Sequence, residues 1–330
     1  MDSLHENEIR PPELHKKSLE LIKEDILLFN KDDFIFVNCP ACLSDKHQYS
    51  FSKNIFNFET CSECSTVFIN PRPTKESLEL YYKSSKSMAF WDIIYKNTEN
   101  SRKEKIFKPR IKLVKKILQK YRFTDCKKLV EIGSGYGWFC ELAQKEKLAN
   151  KIIAIEPSPY FAKVCRNIPK IDVIELTVEE ASDKLNADVI VNFELIEHLF
   201  DPSSFLKSCY KGLRKGGLLI CSTPNFLGLD ISILREKSDN VLGPNHLNYF
   251  NPKSIKFLLI SIGFKNIEIS TPGLLDTEII LNKIRSDELR ALDYPFFNFL
   301  LKSNPKFIAD FQNLLRKHKM SSNMLISAQK

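Results

Sequence analysis

Four of the nine cysteines in this 330-residue chain stand in two Cys-x-x-Cys pairs. Cys39 is paired in this way with Cys42, and Cys61 with Cys64, and the 18 residues from 43 to 60 separate the pairs. Each pair can fold into a tight turn that presents two thiolates, and Zn²⁺ binds four thiolates in a tetrahedral shell. Buried reduced cysteines or a redox pair would not require two such pairs at this spacing. The sequence therefore predicts a structural zinc site, since four thiolates leave no coordination position open.

A glycine-rich segment in the second half of the chain follows a predicted strand. Gly133, Gly135 and Gly137 alternate with other residues, and Glu131 lies two residues before the first glycine. Glycines permit positive φ and let the backbone approach a ligand that a Cβ would push away. The dinucleotide-binding fingerprint would need a glycine at position 138, where the chain has Trp138. The segment thus predicts a ligand-binding loop and disfavours hydride transfer.

A carboxylate stands at the end of the next predicted strand. Glu156 follows the apolar run from Ile153 to Ile155 and lies 23 residues after Gly133. A carboxylate in this position can accept hydrogen bonds from both ribose hydroxyls of an adenosine. It predicts nucleoside binding without choosing the cofactor, because NAD enzymes share this feature.

Short β-branched runs alternate with amphipathic helical patterns from Lys128 onward. The predicted strands are Leu129–Ile132, Lys151–Ile155, Ile171–Leu176, Asp188–Asn192 and Leu218–Ser222, and a helix is predicted at Pro252–Ile262. This alternation is typical of an α/β fold in which helices cover both faces of a parallel sheet. Ligands bind such sheets at the carboxyl ends of the strands, so the glycine loop and Glu156 should lie close together.

Together these segments resemble class I S-adenosylmethionine (SAM)-dependent methyltransferases. The resemblance rests on the acidic residue with its glycine loop, on the segment from Val189 to Pro202 that leaves the fourth strand, and on Leu213–Gly217 before the fifth. It covers about residues 128–271 and implies a Rossmann-like sheet with SAM as the methyl donor. It also implies an antiparallel edge, formed by strands at Asn266–Ser270 and Met324–Gln329.

The resemblance implies which residues hold the cofactor. The glycine loop would contact the methionine part of SAM, and Glu156 the ribose. Glu131 would bind the amino group through water or orient the loop, and the second role is favoured. Asn192 and Phe193 would lie near the sulfonium. The predicted cofactor-binding residues are Glu131, Gly133, Ser134, Gly135, Gly137, Glu156, Pro157, Ser158, Asn192 and Phe193.

Two histidines are candidate bases, because an unperturbed imidazole pKa near 6.5 suits proton transfer at neutral pH. His246 lies in a polar loop before the helix at Pro252, and in similar enzymes an equivalent loop faces the substrate pocket. His198 directly follows Glu197, and the alternative is that it packs on its helix and bonds locally. The predicted catalytic residues are His246, His198 and Glu197.

Segments outside residues 128–271 extend the resemblance to methyltransferases. The cysteine pairs, the segment Arg102–Arg110 and the segment Ser321–Met324 resemble those of zinc-ribbon methyltransferases associated with bacterial sugar and surface-polysaccharide biosynthesis. We predict an N-terminal helical segment at 1–36, a zinc ribbon at 37–73, a helical linker or cap at 74–127 and the methyltransferase domain at 128–330. Residues 272–320 exceed a normal connection and are predicted to be a helical insertion that caps the pocket. Its expected packing face is Phe296, Phe297, Phe299, Leu300, Phe307, Ile308 and Phe311.

The formal net charge of +8 is concentrated in one segment. Between Glu99 and Lys128, twelve basic residues stand against three acidic ones. Apolar residues at helical spacing, such as Ile111, Val114 and Leu118, favour the exposed face of an amphipathic helix. The alternative is a surface that attracts the phosphates of a ligand.

The predicted function is SAM-dependent methyl transfer to a small molecule, a nucleotide-linked or other sugar in polysaccharide biosynthesis. The alternatives are an RNA or protein methyltransferase that uses the ribbon for recognition, and a non-catalytic SAM-binding scaffold. Nucleic acid is disfavoured as a partner because the ribbon lacks a basic and aromatic surface. No apolar run approaches the roughly 18 residues of a membrane span, and no targeting segment is evident. We expect a cytoplasmic protein whose oligomeric state the sequence does not determine.

Overall fold

The computed structural model describes residues 4–123 and 125–330. The α-helices are α1 Pro12–Asp25, α2 Lys75–Ser84, α3 Lys86–Asn97, α4 Glu99–Arg102, α5 Lys108–Lys120, α6 Trp138–Lys145, α7 Pro159–Arg166, α8 Val178–Ala181, α9 Pro202–Gly212, α10 Leu229–Leu234, α11 Pro252–Ile262, α12 Asp276–Arg285, α13 Pro295–Leu301 and α14 Pro305–Lys317. The strands are β1 His47–Lys53, β2 Phe56–Cys61, β3 Val67–Ile69, β4 Lys128–Ile132, β5 Lys151–Ile155, β6 Ile171–Ile174, β7 Ala187–Phe193, β8 Leu213–Pro224, β9 Asn248–Tyr249, β10 Lys265–Ser270 and β11 Asn323–Gln329.

A seven-stranded sheet in the order β10-β11-β8-β7-β4-β5-β6 forms the centre of the molecule. The strands from β8 to β6 run parallel, and β11 is antiparallel to both β8 and β10. Along β7, Ile190 packs into the core on one face, whereas Val189 and Val191 pack into the core on the other. Both faces of the strand are therefore buried, as its apolar run requires. The Rossmann-like α/β fold with an antiparallel edge is confirmed.

Two predicted strands differ from the structure by more than one residue at an end. The fifth predicted strand, Leu218–Ser222, is part of the longer β8, which begins at Leu213 and ends at Pro224. The third, Ile171–Leu176, ends at Ile174 in the structure. The pairing of β8 with β7 is irregular between Leu213 and Leu218, where Gly216 has a φ of 74°.

A second, smaller sheet joins the cysteine-rich segment to the rest of the chain. Its order is β1-β2-β3-β9, and its last strand comes from the segment that contains His246. Val67 pairs with Tyr249 and Phe68 with Asn248. The cysteine-rich segment and the loop around His246 are therefore one structural unit.

The segment 272–320 is helical, with α12, α13 and α14 packed around a cluster of their own. Phe297 and Leu300 are buried in that cluster, as expected for a packing face. Phe299 is 59% exposed, and Phe296 and Phe307 are about half exposed, so these three phenylalanines are not part of the buried face. The prediction was wrong for them because helical spacing places residues on one face without showing how much of that face finds a partner.

The basic helix α5 buries Ile111, Val114 and Leu118 against the large sheet. Most of its lysines are exposed, which confirms that they form the solvated face of an amphipathic helix. No helix among the described residues has the length and apolar character needed to cross a membrane.

Candidate functional site

A cavity of about 1410 Å³ lies at the carboxyl ends of β4, β5 and β7. Its floor includes Gly133 to Tyr136 and Glu156, and its opposite part includes Glu194, Leu195 and His198. The helices α3 and α5 form one wall, and the segment from Pro272 to Ile279 forms another. The start of the helical insertion thus contacts the cavity, as expected of a cap.

The glycine loop takes the conformation that its composition requires. Gly133, Gly135 and Gly137 have φ values of 72°, 52° and 69°, in the left-handed region that favours glycine. The amide of Gly133 donates to the carbonyl oxygen of Ile155, which ties the loop to the end of β5. A Cβ on Gly135 would meet no atom within 4 Å and would project into open space. The backbone at Gly135 is therefore open to close approach by a ligand.

The third glycine serves packing. Gly137 precedes α6 and does not line the cavity. A Cβ at this position would lie 2.5 Å from Cδ1 of Ile168 and 3.1 Å from Sγ of Cys165. Its predicted contact with a cofactor stays a prediction, and its local role is to let α7 approach the loop.

Glu156 lies at the tip of β5 and lines the cavity. Its Oε2 accepts from the amide of Gly135 at 2.8 Å, and its Oε1 accepts from the amide of Ser158 at 3.0 Å. Burial raises the pKa of this carboxyl, while the two amide bonds act in the opposite direction. Pro157 and Ser158 line the cavity beside it. The carboxylate is held in place by the glycine loop that it was predicted to accompany.

Glu131 is buried beneath the loop and lines the cavity. Its Oε2 accepts from the thiol of Cys140 at 3.0 Å, and burial raises its pKa to about 8. Ser134 donates its hydroxyl to the carbonyl oxygen of Glu131 at 3.2 Å. These contacts tie Glu131 to the glycine loop and to α6, and its orienting role stays a prediction.

The two residues predicted beside the sulfonium have different surroundings. Phe193 lines the cavity, and the guanidinium of Arg110 lies 4.3 Å from its ring centroid. Asn192 is fully buried, is not among the residues that line the cavity, and has no hydrogen-bond partner for its side-chain amide among the described residues. Adjacent residues of a strand point to opposite faces, which explains the difference.

Arg110 is a cavity residue that sequence reasoning missed. It lies at the start of α5 and was counted with the solvated lysines of the basic segment. Burial lowers its pKa, and the carboxylates of Glu194 and Glu131 act in the opposite direction. Only its position directly before Ile111, the first of the regularly spaced apolar residues of α5, sets it apart in the sequence. Arg110 therefore places a cationic side chain at the wall of the cavity.

An aromatic wall was also missed. Tyr136 stacks on Trp138 with ring centroids 4.9 Å apart, and Tyr95 contacts both rings. The hydroxyl of Tyr136 donates to Asp92, so α3 is tied to the glycine loop. All of these residues line the cavity. Tyrosine and tryptophan in helical or loop segments usually indicate core packing, so the sequence offers no signal for this wall.

The three predicted catalytic residues are brought together. Ligand atoms of Glu197, His198 and His246 all lie within 4.8 Å of one another. His198 lines the cavity, whereas Glu197 and His246 lie behind it. Burial raises the pKa of Glu197 well above its ordinary value, and burial lowers the pKa of His246 to about 3. Nδ1 of His198 lies 2.7 Å from the backbone carbonyl oxygen of Asn245, which is 47 residues away in the sequence.

The four predicted zinc ligands form one cluster. Sγ of Cys39 lies 3.5 Å from Sγ of Cys64, and Sγ of Cys42 lies 3.5 Å from Sγ of Cys61. All four sulfur atoms lie within 4.8 Å of one another. Zn–S bonds of about 2.3 Å in a tetrahedron place sulfurs a little under 4 Å apart, so the cluster fits a zinc ion.

Both turns of the cluster have the same backbone hydrogen bonds. The amide of Leu43 donates to Cys39 and the amide of Ser65 donates to Cys61, and both donors have positive φ. His47 does not replace a cysteine ligand, since its imidazole pairs with Glu59 at 2.5 Å.

Residues 102–269, about half of the chain, match a family model described as a methyltransferase domain. The chain belongs to this methyltransferase family. A protein described as a probable SAM-dependent methyltransferase of Mycobacterium tuberculosis is 30% identical over 148 residues, which cover 44% of this chain and 51% of that protein. A ubiquinone biosynthesis O-methyltransferase of Cereibacter sphaeroides is 34% identical over 110 residues, which cover 30% of this chain and 41% of that protein. The methyltransferase domain thus spans about half the length, or less, of these curated relatives.

Solved methyltransferase structures are also similar to the chain. A SAM-dependent methyltransferase from Archaeoglobus fulgidus is 21% identical with a TM-score of 0.43, over 67% of this chain and 94% of that one. A possible histamine N-methyltransferase from Thermotoga maritima is 20% identical with a TM-score of 0.46, over 72% and 96% of the two chains.

Proposed function

We propose that this chain transfers a methyl group from SAM to a hydroxyl of a small sugar-type acceptor. The observation that carries the proposal is one continuous cavity that extends from the glycine loop to His198. Its volume of about 1410 Å³ exceeds the roughly 300–1,000 Å³ of a pocket for one small ligand. The cavity therefore has room for a cofactor and an acceptor together.

The part of the cavity that is lined by the glycine loop and Glu156 is assigned to the cofactor. SAM supplies a methyl group on a sulfonium sulfur, and this chain's residues hold and orient it. Gly135 offers an open backbone, Glu156 offers carboxylate oxygens to the ribose, and Arg110 offers a cation to the carboxylate of the methionine part. Alignment of donor and acceptor supplies much of the rate enhancement in such a reaction, since the leaving sulfur becomes neutral.

The acceptor half favours a polar small molecule. Arg10, Glu194, His198, Asn240 and Asn323 line this part of the cavity. Hydroxyl-rich acceptors such as sugars need many hydrogen-bond partners, and Arg10 could meet the phosphate of a nucleotide-linked sugar. The O-methyltransferase named among the relatives favours oxygen as the acceptor atom. The wall formed by α3, α5 and the insertion favours a small acceptor over RNA or protein.

The first test concerns the cofactor. Calorimetry should show SAM binding that Gly135→Asp weakens at least about tenfold, equivalent to about 1.4 kcal/mol. Its matched control is Gly216→Asp, because Gly216 also has positive φ but does not line the cavity. Equal affinity in all three proteins would remove the loop from the cofactor site.

The second test concerns the acceptor. The full chain with SAM should add one methyl group to a member of a panel of nucleotide-linked sugars, detected by mass spectrometry. Methylation of phenols or RNA in place of every sugar would overturn the sugar assignment. Bound SAM with no turnover on any class would favour the scaffold interpretation.

A further inference from the structure

Potential ligand atoms of Glu197, His198 and His246 converge within 4.8 Å of one another beside the acceptor half of the cavity. Nδ1 of His198 lies 2.7 Å from the carbonyl oxygen of Asn245, and Nδ1 of His246 lies 3.0 Å from the carbonyl oxygen of Asn240. A carbonyl can only accept, so each Nδ1 carries the hydrogen and each neutral ring keeps a lone pair on Nε2. Both lone pairs are thus available for a ligand.

The carboxylate of Glu197 completes the group. Its Oε2 accepts from the hydroxyl of Thr223 at 2.9 Å, while its Oε1 is buried without a hydrogen-bond partner among the described residues. Nε2 of His198 lies 3.8 Å from this Oε1, which is too far for a hydrogen bond. A buried oxygen without a partner is costly, and a cation bound between the three side chains would remove that cost.

The surrounding contacts hold these donors in place. The hydroxyl of Tyr81 donates to the side chain of Asn245, whose carbonyl orients His198. The amide of Leu247, next to His246, donates to the carbonyl oxygen of Glu197. Metal-binding histidines usually donate their second ring nitrogen to a carbonyl or carboxylate in this way.

We propose that Glu197, His198 and His246 bind a divalent first-row transition-metal ion that receives the acceptor hydroxyl. Two imidazole nitrogens and one carboxylate oxygen suit Zn²⁺, Fe²⁺ or Mn²⁺ better than Ca²⁺, which prefers oxygen ligands. Such ions hold these donors at about 2.0–2.2 Å, so small rotations would close the present separations. Three protein ligands leave a position open, and His198, whose side chain is 30% exposed, lines the cavity on that side.

This inference rests on the proposed function and assigns its acceptor subsite. The metal ion binds the hydroxyl oxygen and lowers the pKa of the hydroxyl, and its proton passes to water. A lone pair on that oxygen then forms the O–C bond with the methyl carbon. The C–S bond breaks and its electron pair stays on sulfur, which loses its positive charge. No oxidant or reductant is needed.

The experiment measures metal content in the full chain. After equilibration with Zn²⁺ and removal of free ion, wild type should hold two equivalents and His246→Gln one. Co²⁺ should separate the sites, because the cysteine cluster gives a thiolate charge-transfer band and the second site gives only weak d–d bands. One equivalent in both proteins, with the thiolate band alone, would overturn the proposal.

A second variant separates metal binding from folding. Glu197→Gln should weaken the second equivalent more than about 100-fold, beyond the 10–100-fold cost of losing an outer partner. The introduced amide can donate toward the imidazoles, so the thermal midpoint of metal-free protein should not fall. Unchanged metal affinity in this variant would contradict the assigned ligand.

The control is His318→Gln, which removes an exposed histidine outside the cluster and should keep two equivalents. SAM affinity, measured in the same proteins, distinguishes the two proposals. Two metal equivalents without SAM binding would contradict the proposed function and support the metal site. SAM binding with only one metal equivalent would support the cofactor part of the proposed function and contradict the metal site.

Discussion

The cysteine cluster and the Glu197-His198-His246 cluster differ in how completely each would surround a metal ion. Each cysteine pair comes from one local turn, and four thiolates would surround an ion completely. The second cluster combines a short segment after β7 with a loop that follows much later in the chain, and one side of it faces the cavity. A closed set of ligands serves folding, whereas an open set serves chemistry. The two clusters are nevertheless connected by the smaller sheet, since β3 beside the cysteine cluster pairs with β9 beside His246.

The largest expected effect comes from removal of two cysteine ligands. Cys39→Ser with Cys61→Ser should abolish the thiolate-bound metal and unfold the small sheet, because structural zinc contributes about 10–16 kcal/mol to small zinc-dependent domains. Hydrogen exchange should then rise in β3 and also in β9. Cys126→Ala, a buried cysteine outside both pairs, should leave exchange there unchanged. Protected β9 amides in the double variant would show that the clusters are independent.

A smaller effect is expected at the buried cation between the clusters. Arg72 donates to the carbonyl oxygens of Ile69 and Phe200 and to the side chain of Asn248. Arg72→Met leaves these buried acceptors without a donor and should lower the free energy of unfolding by about 2–4 kcal/mol. Urea denaturation measures this loss.

The same variant should weaken metal binding at the second cluster, because Arg72 bonds Asn248 of β9, which follows the loop that contains His246. Arg290→Met removes an exposed arginine and is the matched control. Lost stability with unchanged metal affinity would mean that Arg72 supports the fold alone.

The smallest effect is expected at Asp188, in a part of the sheet that belongs to neither cluster. Asp188 accepts from the amides of Lys127 and Lys128 at 2.9 and 2.8 Å and from Arg214. Burial raises the pKa of Asp188, but these bonds outweigh it and hold the pKa below its ordinary value. Asp188→Asn should cost about 1–3 kcal/mol at neutral pH and leave both metal equivalents in place.

The depressed pKa of Asp188 determines how the stability difference between wild type and Asp188→Asn changes with pH. Because the folded-state pKa is depressed, the contribution of Asp188 is present above the unfolded pKa of about 3.9 and is lost as the pH falls through the folded pKa. Wild type and Asp188→Asn should therefore converge in stability under acid. A constant difference down to the lowest pH would assign the loss to packing.

The sequence predicts best those features whose residues lie close together in it. Each cysteine turn and the glycine loop depend on spacing within a few residues. The structure brings the two cysteine turns together, and separately it brings the glycine loop to Glu156 at the tip of β5. The hydrogen bond between Thr223 and Glu197 and the position of Arg110 at the cavity wall depend on how segments distant in the sequence pack together. Hydrophobic periodicity assigns α5 a buried face, but it does not show that Arg110 at its start reaches a cavity. For the same reason the exposure of Phe299 was not predicted.

The shared sheet limits how this chain can be recombined with its relatives. A fragment that starts at Lys128 would leave the edge of β9 unpaired, and an open edge invites association with other chains. A graft that exchanged only the cysteine-rich segment would break the pairs of Val67 and Phe68 with β9. A chimaera that is designed to change acceptor preference would therefore have to exchange the cysteine-rich segment and the loop that contains His246 together.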